Sequence, residues 1–125
     1  MSNKILISFG KVKIEAVLLD TPTARNIKDS LPFGSKANII GAQAYFETPV
    51  MAETEDDARD VINAGELGFW ADSGIVVIGF GKTAASEGEE VRLTARANIW
   101  ANAITDVTLI KSMKPDDFVF IETLE

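Results

Sequence analysis

Residues Gly65 to Thr83, GELGFWADSGIVVIGFGKT, contain two short apolar runs joined by Asp72, Ser73 and Gly74. Val76, Val77 and Ile78 are β-branched and stand between glycine and aromatic residues, a composition that suits a strand covered on both faces. The stretch predicts a central β-hairpin, and such a strand needs apolar material above and below it. The chain has that material: 46% of its 125 residues are apolar and 25% charged. A chain of this length forms one domain, here residues 1–125, and buries roughly two thirds of its unfolded surface without a disulfide or metal staple.

The remaining elements are laid out around that hairpin. Ile5, Ile7 and Phe9 alternate with polar positions, Gly10-Lys11 supplies a two-residue turn, and Val12, Ile14, Ala16 and Leu18 resume the alternation. Thr21 is a good N-cap with Pro22 at the first helical position, and Ala24, Ile27 and Leu31 recur at helical spacing before Pro32. The spacing predicts a helix over Pro22 to Leu31. Ala37 to Ile40 and Gln43 to Glu47 flank Gly41-Ala42 as a second hairpin. Glu55, Asp56 and Asp57 follow Thr54 and suit the positive end of a short helical turn that closes at Gly65. They lack the alternating acids and closing glutamate of a calcium loop, so a solvated helix start is preferred. Ala84 to Glu90 reads as an exposed loop. A long strand follows, with Val91, Leu93, Ala95, Ala97, Ile99, Ala101 and Ala103 on one side and Arg92, Thr94, Arg96, Asn98, Trp100 and Asn102 on the other. Thr105 is placed to cap a second helix through Val107, Ile110 and Met113, and Asp117 to Thr123 is a last strand. About eight strands and two helices favour a mainly β fold, a closed antiparallel eight-stranded barrel with two capping α-helices and a short helical turn.

Charge and residue usage narrow the chemistry. A formal charge of −7 opposes nucleic acid and anionic membranes, which require a basic patch, so neither is an expected partner. Histidine and cysteine are absent, which removes thiol nucleophiles, His-based triads and Cys/His metal sites, and no metal or cofactor is expected. MSNKILISFG offers no long apolar segment or cleavage site, and no run reaches membrane-spanning length, so a cytoplasmic location is the expectation. Gly81-Lys82-Thr83 has the ending of a phosphate loop, but the first glycine of that motif would fall on Val76 inside a strand.

In one order the chain carries Leu31-Pro32-Phe33, Tyr45-Phe46-Glu47-Thr48-Pro49-Val50, Gly65-Glu66-Leu67-Gly68-Phe69-Trp70, Phe80-Gly81-Lys82-Thr83 and Asn98. With these motifs it resembles the cyclophilin-like superfamily over nearly its whole length, and in particular its small bacterial and archaeal family of uncharacterised single-domain proteins. Ala71-Asp72 departs from relatives, which usually place proline after the tryptophan. The resemblance implies an eight-stranded antiparallel barrel closed at its ends by helices. True cyclophilins isomerise X-Pro bonds with an arginine on the third strand, in a groove of Phe, Met, Gln, Trp and His. Here Ala37 to Thr48 holds no arginine and no Phe-Met-x-Gln run, so efficient prolyl isomerase activity does not carry over. The rival reading is an isomerase whose arginine has moved to Arg96 or Arg92.

Six residues are the candidate ligand-binding set: Tyr45, Glu47, Trp70, Phe80, Arg96 and Asn98; no catalytic residue is assigned. Arg96 and Asn98 belong to the polar row of the long strand, whose ordinary reading is a solvent-exposed face. Alignment with the corresponding strand of true cyclophilins turns Trp100 and Asn98 inward, so alternation and alignment assign the two faces oppositely. Tyr45, Trp70 and Phe80 serve either as platforms in a groove between the central hairpins or as core aromatics. Glu47 is the nearest approach to a general base, though a lone strand carboxylate is ordinarily just exposed. The expected function is an uncharacterised cyclophilin-like barrel that binds an undefined small molecule or proline-containing peptide. A regulatory or subunit role through a protein partner is the further alternative, and free edges at Ile5 to Phe9 or at the last strand would pair two chains into a homodimer.

Overall fold

The computed structural model describes residues 3–81, 91–114 and 117–124. Lys82 and Thr83 of the loop-like motif, and the expected loop Ala84 to Glu90, lie outside the described residues. The protein is mainly β. Among the described residues the nine strands are β1 (Lys4–Phe9), β2 (Val12–Leu18), β3 (Phe33–Ile40), β4 (Gln43–Glu47), β5 (Arg59–Ile62), β6 (Glu66–Trp70), β7 (Ile75–Gly79), β8 (Val91–Ala103) and β9 (Asp117–Thr123). Every pairing is antiparallel. The order is β2-β1-β9-β3-β4-β7-β6-β8, and β2 pairs back onto β8, so the strands run in a ring with β5 attached to β8.

Local chemistry sets the register of the hairpins. Gly10 at φ 58° and Gly41 at φ 59° take the left-handed conformation that a two-residue β-turn demands. Phe9 therefore faces Val12, and Ile40 faces Gln43. Side chains alternate from there: Ile5, Ile7, Phe9, Ile14 and Ala16 enter the core with Ala37, Phe46, Val76, Ile78, Val119 and Ile121. Phe9 and Phe46 meet edge to face at 6.1 Å. The helix α1 (Pro22–Ser30) begins where expected, with the Thr21 hydroxyl accepting from the Ala24 N–H, and it buries Ala24 and Ile27 against this core.

Four expectations need correction. The acidic stretch starts no helix: a turn at Asp56-Asp57 leads into β5. The Glu55 carboxylate instead accepts from the Thr23 N–H of α1 at 3.1 Å and from the Thr23 hydroxyl, so it neutralises the positive end of a helix elsewhere in the chain. The second helix is a 3-10 turn, Val107–Ser112, capped by Asp106; the Thr105 hydroxyl accepts from the Glu15 N–H at 2.9 Å. The edges proposed for dimer pairing are occupied, because β1 lies between β2 and β9, and β9 between β1 and β3.

The fourth correction concerns β8. Its alternation fails because two bulges interrupt it. Between the pairs Arg59–Ala97 and Val61–Arg92, Asp60 alone stands against Leu93, Thr94, Ala95 and Arg96. Between Leu67–Ala101 and Gly68–Ile99, Trp100 is the extra residue. Asn98 and Trp100 are consequently inside, 1% and 0% exposed, and Ala101 joins Trp100 in the interior core. Leu93, Ala97 and Ile99 face the other way. They form a second cluster with Ile62 and Val77 on the outer side of the ring, which is why Val77 is covered as fully as Val76 and Ile78.

That outer layer lies close to the sheet because glycines permit it. A Cβ on Gly68 would stand 2.8 Å from Ala97 Cβ, and one on Gly79 would stand 2.8 Å from Val91 Cγ1. The two glycines leave the flat ground on which the first half of β8 rests.

Candidate functional site

The most densely hydrogen-bonded side chain of the interior is Asn98. Its Nδ2 donates to the Thr23 hydroxyl at 2.9 Å and to the Glu53 carbonyl at 2.8 Å, while its Oδ1 accepts from the Glu55 N–H at 2.8 Å. Thr23 is buried, and its hydroxyl donates a hydrogen bond to the Glu55 carboxylate. The network clamps the segment after Pro49 to β8 and to the start of α1. It is closed: no buried side-chain nitrogen or oxygen among the described residues lacks a partner. Asn98 is thereby a structural bridge, and nothing of it is presented to a ligand.

The four arginines of the chain are each engaged. Arg25 meets Asp20 at 2.6 Å, Arg92 meets Asp60 at 3.1 Å, and Arg59 makes a two-pronged pair with Glu66 at 2.7 and 2.5 Å. Hydrogen bonding from Arg59 holds the Glu66 carboxyl below the usual carboxylate range, aided by the Asn63 N–H, and Arg59 is raised in turn. Arg96 donates its Nε to the Ala58 carbonyl at 3.1 Å and points along the β5 side of the bulge.

Tyr45, Glu47 and Trp70 come together, as the hairpin register requires. Tyr45 and Glu47 share the outer face of β4, and the Tyr45 and Trp70 rings lie 6.5 Å apart at a 39° tilt. The indole Nε1 of Trp70 donates to the Ala95 carbonyl at 3.1 Å, which fastens the bulged part of β8 beside the tyrosine. Gln43, one step along the same face, exchanges hydrogen bonds with Thr94 at 3.1 and 3.4 Å. Beside this fastened edge a recess of about 450 Å³ is lined by Ser35, Lys36, Asn38, Tyr45, Phe46, Glu47 and Ile75. Phe80 is not part of it, being 9% exposed within the interior core.

Lys36 and Asn38 were not among the sequence candidates, yet the signal was countable. With Gly41-Ala42 as the turn, Asn38 falls opposite Tyr45, and Lys36 is the next outward residue. Among the described residues the Lys36, Asn38, Tyr45 and Glu47 side chains have no hydrogen-bond or ion-pair partner. The recess thus offers an ammonium, an amide, a phenol and a carboxylate beside an aromatic edge. A larger groove, about 510 Å³, runs between α1 and the clamped segment, lined by Pro22, Asn26 and Met51 to Glu55. Part of its polar chemistry is consumed internally, Asn26 donating to the Met51 carbonyl and Glu55 capping α1, while the Glu53 and Thr54 side chains stay open among the described residues.

Among the described residues no group of acidic side chains is arranged to hold a metal ion. None of the helices there is long and apolar enough to cross a membrane.

The family model described as Cyclophilin-like matches residues 3–122. A solved structure similar to this one is the solution structure of a hypothetical protein from Archaeoglobus fulgidus, 27% identical, with a TM-score of 0.82 over 98% of this chain and 95% of that one. No curated protein matches the chain. The chain belongs to the cyclophilin-like family.

Proposed function

We propose that this member of the cyclophilin-like family is a closed barrel that works by binding, taking a small molecule or a proline-containing peptide in the Tyr45 recess, without efficient prolyl isomerase activity. One observation carries the reading. The polar side chains of the recess are unpartnered among the described residues, whereas all four arginines are engaged elsewhere. Isomerisation crosses a barrier of ~18–20 kcal/mol, and a protein lowers it by placing a hydrogen-bond donor on the proline nitrogen. Among the described residues Lys36 is the only cation lining the recess. It is a mobile point charge that lacks the planar fork of a guanidinium.

The rival isomerase would have to use Arg92, which is paired with Asp60, or Arg96, which neighbours the Ala95 carbonyl bound by Trp70. To act there Arg96 must release the Ala58 carbonyl and swing toward Tyr45. A partner-binding role is favoured by a different observation: Ile40 and Phe118 are 54% and 60% exposed on the outward side of β3 and β9. That face, with both strand edges occupied, is where a homodimer or a larger assembly would form.

The test is two-dimensional NMR exchange on a doubly blocked Ala-Pro peptide with substoichiometric protein, with the protein amide shifts recorded in parallel. The expected result is no protein-dependent cis/trans exchange. Exchange peaks that vanish in Arg96→Ala would establish the rival isomerase.

A further inference from the structure

We propose, resting on the reading of the Tyr45 recess as a ligand site, that its ligand is a small zwitterion: a free amino acid or short peptide with an apolar side chain. Ala37 faces Phe46 in the last pair of the β3–β4 ladder, so Lys36 and Glu47 both lie just beyond that pair, on the outer face. Opposite charges on neighbouring strands of one face are stabilising when they meet. These two do not: no ion pair connects them, and neither has another partner among the described residues. Both instead line the same recess, with the Asn38–Tyr45 pair beside them on the same face.

A separated ammonium and carboxylate on one wall complement a ligand that carries the same two charges in reverse. Its carboxylate meets the Lys36 ammonium, and its ammonium meets the Glu47 carboxylate. The Asn38 amide and Tyr45 hydroxyl supply orienting hydrogen bonds, and the Tyr45 ring with Ile75 receives the side chain. Overall charge selects among ligand classes. A chain of net charge −7 repels simple anions, and a simple cation leaves Lys36 without a counter-charge. A zwitterion has no net charge and satisfies both groups. The recess, about 450 Å³, is ample for a single residue or a dipeptide.

The experiment titrates the full-length, isotope-labelled chain with L-phenylalanine and compares N-acetyl-phenylalanine, phenylalanine amide and a doubly blocked Ala-Pro peptide. Saturable shifts at residues 35–38, 45–47 and 75 are expected with the free amino acid. Either cap should weaken binding at least about tenfold, as should Lys36→Gln or Glu47→Gln, because each removes one charge-assisted contact. Equal binding of capped and free compounds overturns the zwitterion proposal. Recess shifts from the blocked peptide alone overturn it too, yet leave the ligand site standing. Shifts from none of the four probes overturn the zwitterion and the ligand reading together. Since the capped compounds are tested on the unaltered protein, the outcome does not depend on how the variants fold.

Discussion

The Nδ2 of Asn98 lies 2.9 Å from the hydroxyl of Thr23, a residue 75 positions earlier in the chain. Through this one contact β8, the first turn of α1 and the segment holding Glu53 and Glu55 share a single polar knot. Burying an amide is unfavourable unless its bonds are made, so the knot is stabilising only when complete.

Asn98→Ala should therefore be costly. It leaves the half-buried Glu55 N–H and the Glu53 carbonyl without their partner, and with water able to reach them each loss lies at the low end of roughly 1–3 kcal/mol. Urea unfolding should show a lower midpoint with an unchanged slope. Asn98→Asp adds a pH signature. The introduced carboxyl lies beside Glu55, where burial and the neighbouring charge raise its pKa in the folded state. Relative to the parent protein, the variant should lose stability as pH rises from the unfolded-state value near ~3.9 up through its higher folded-state value.

Gly68→Ala tests the outer layer. The added methyl would stand 2.8 Å from Ala97 Cβ and 3.1 Å from Val77 Cγ1, so β8 must lift from the sheet or the strands must shift. Overpacking of this kind costs about 1–3 kcal/mol. Combining it with Ala97→Gly removes the nearest clash and should recover part of the loss in thermal unfolding. Additive losses would show that the methyl is accommodated elsewhere.

The Arg59–Glu66 pair predicts a defined acid dependence. Glu66 is held low in the folded state, chiefly by the hydrogen bond from Arg59, so the unfolded chain binds its proton more readily. Its contribution is complete above the unfolded-state value near ~4.3 and is lost as pH falls through the lower folded value. Glu66→Gln should destabilise by roughly 0.5–1 kcal/mol at pH 7, the range for a two-pronged pair still open to solvent. The gap between parent and variant should close below about pH 4, an acid range under the ordinary glutamate value. A gap that persists in acid would assign the role of Glu66 to packing.

Arg96→Ala separates structure from chemistry. It removes one hydrogen bond from an exposed side chain to the Ala58 carbonyl, worth about 1 kcal/mol or less. The Ala-Pro exchange spectrum should not change. A selective loss of protein-dependent exchange in this variant would instead place the guanidinium on the proline.

The sequence by itself determined what depends on neighbours in the chain. Gly10 and Gly41 dictate tight turns, which set strand register and so bring Tyr45 opposite Asn38. Thr21-Pro22 starts α1, and the Leu31-Pro32-Phe33 to Phe80-Gly81 motifs point to the cyclophilin-like family that the match over residues 3–122 shows. The tertiary structure decided what depends on distant partners. The polar row of β8 looked like a solvent face because alternation presumes an uninterrupted ladder, and the bulges at 93–96 and at Trp100 arise from what β5 and β6 present to it. Asn98 became a core residue because Thr23, Glu53 and Glu55 converge on it from elements far apart in sequence. Likewise, Arg59–Ile62 reads locally as a helical turn, and only the long partner strand supplies the hydrogen bonds that make it extended.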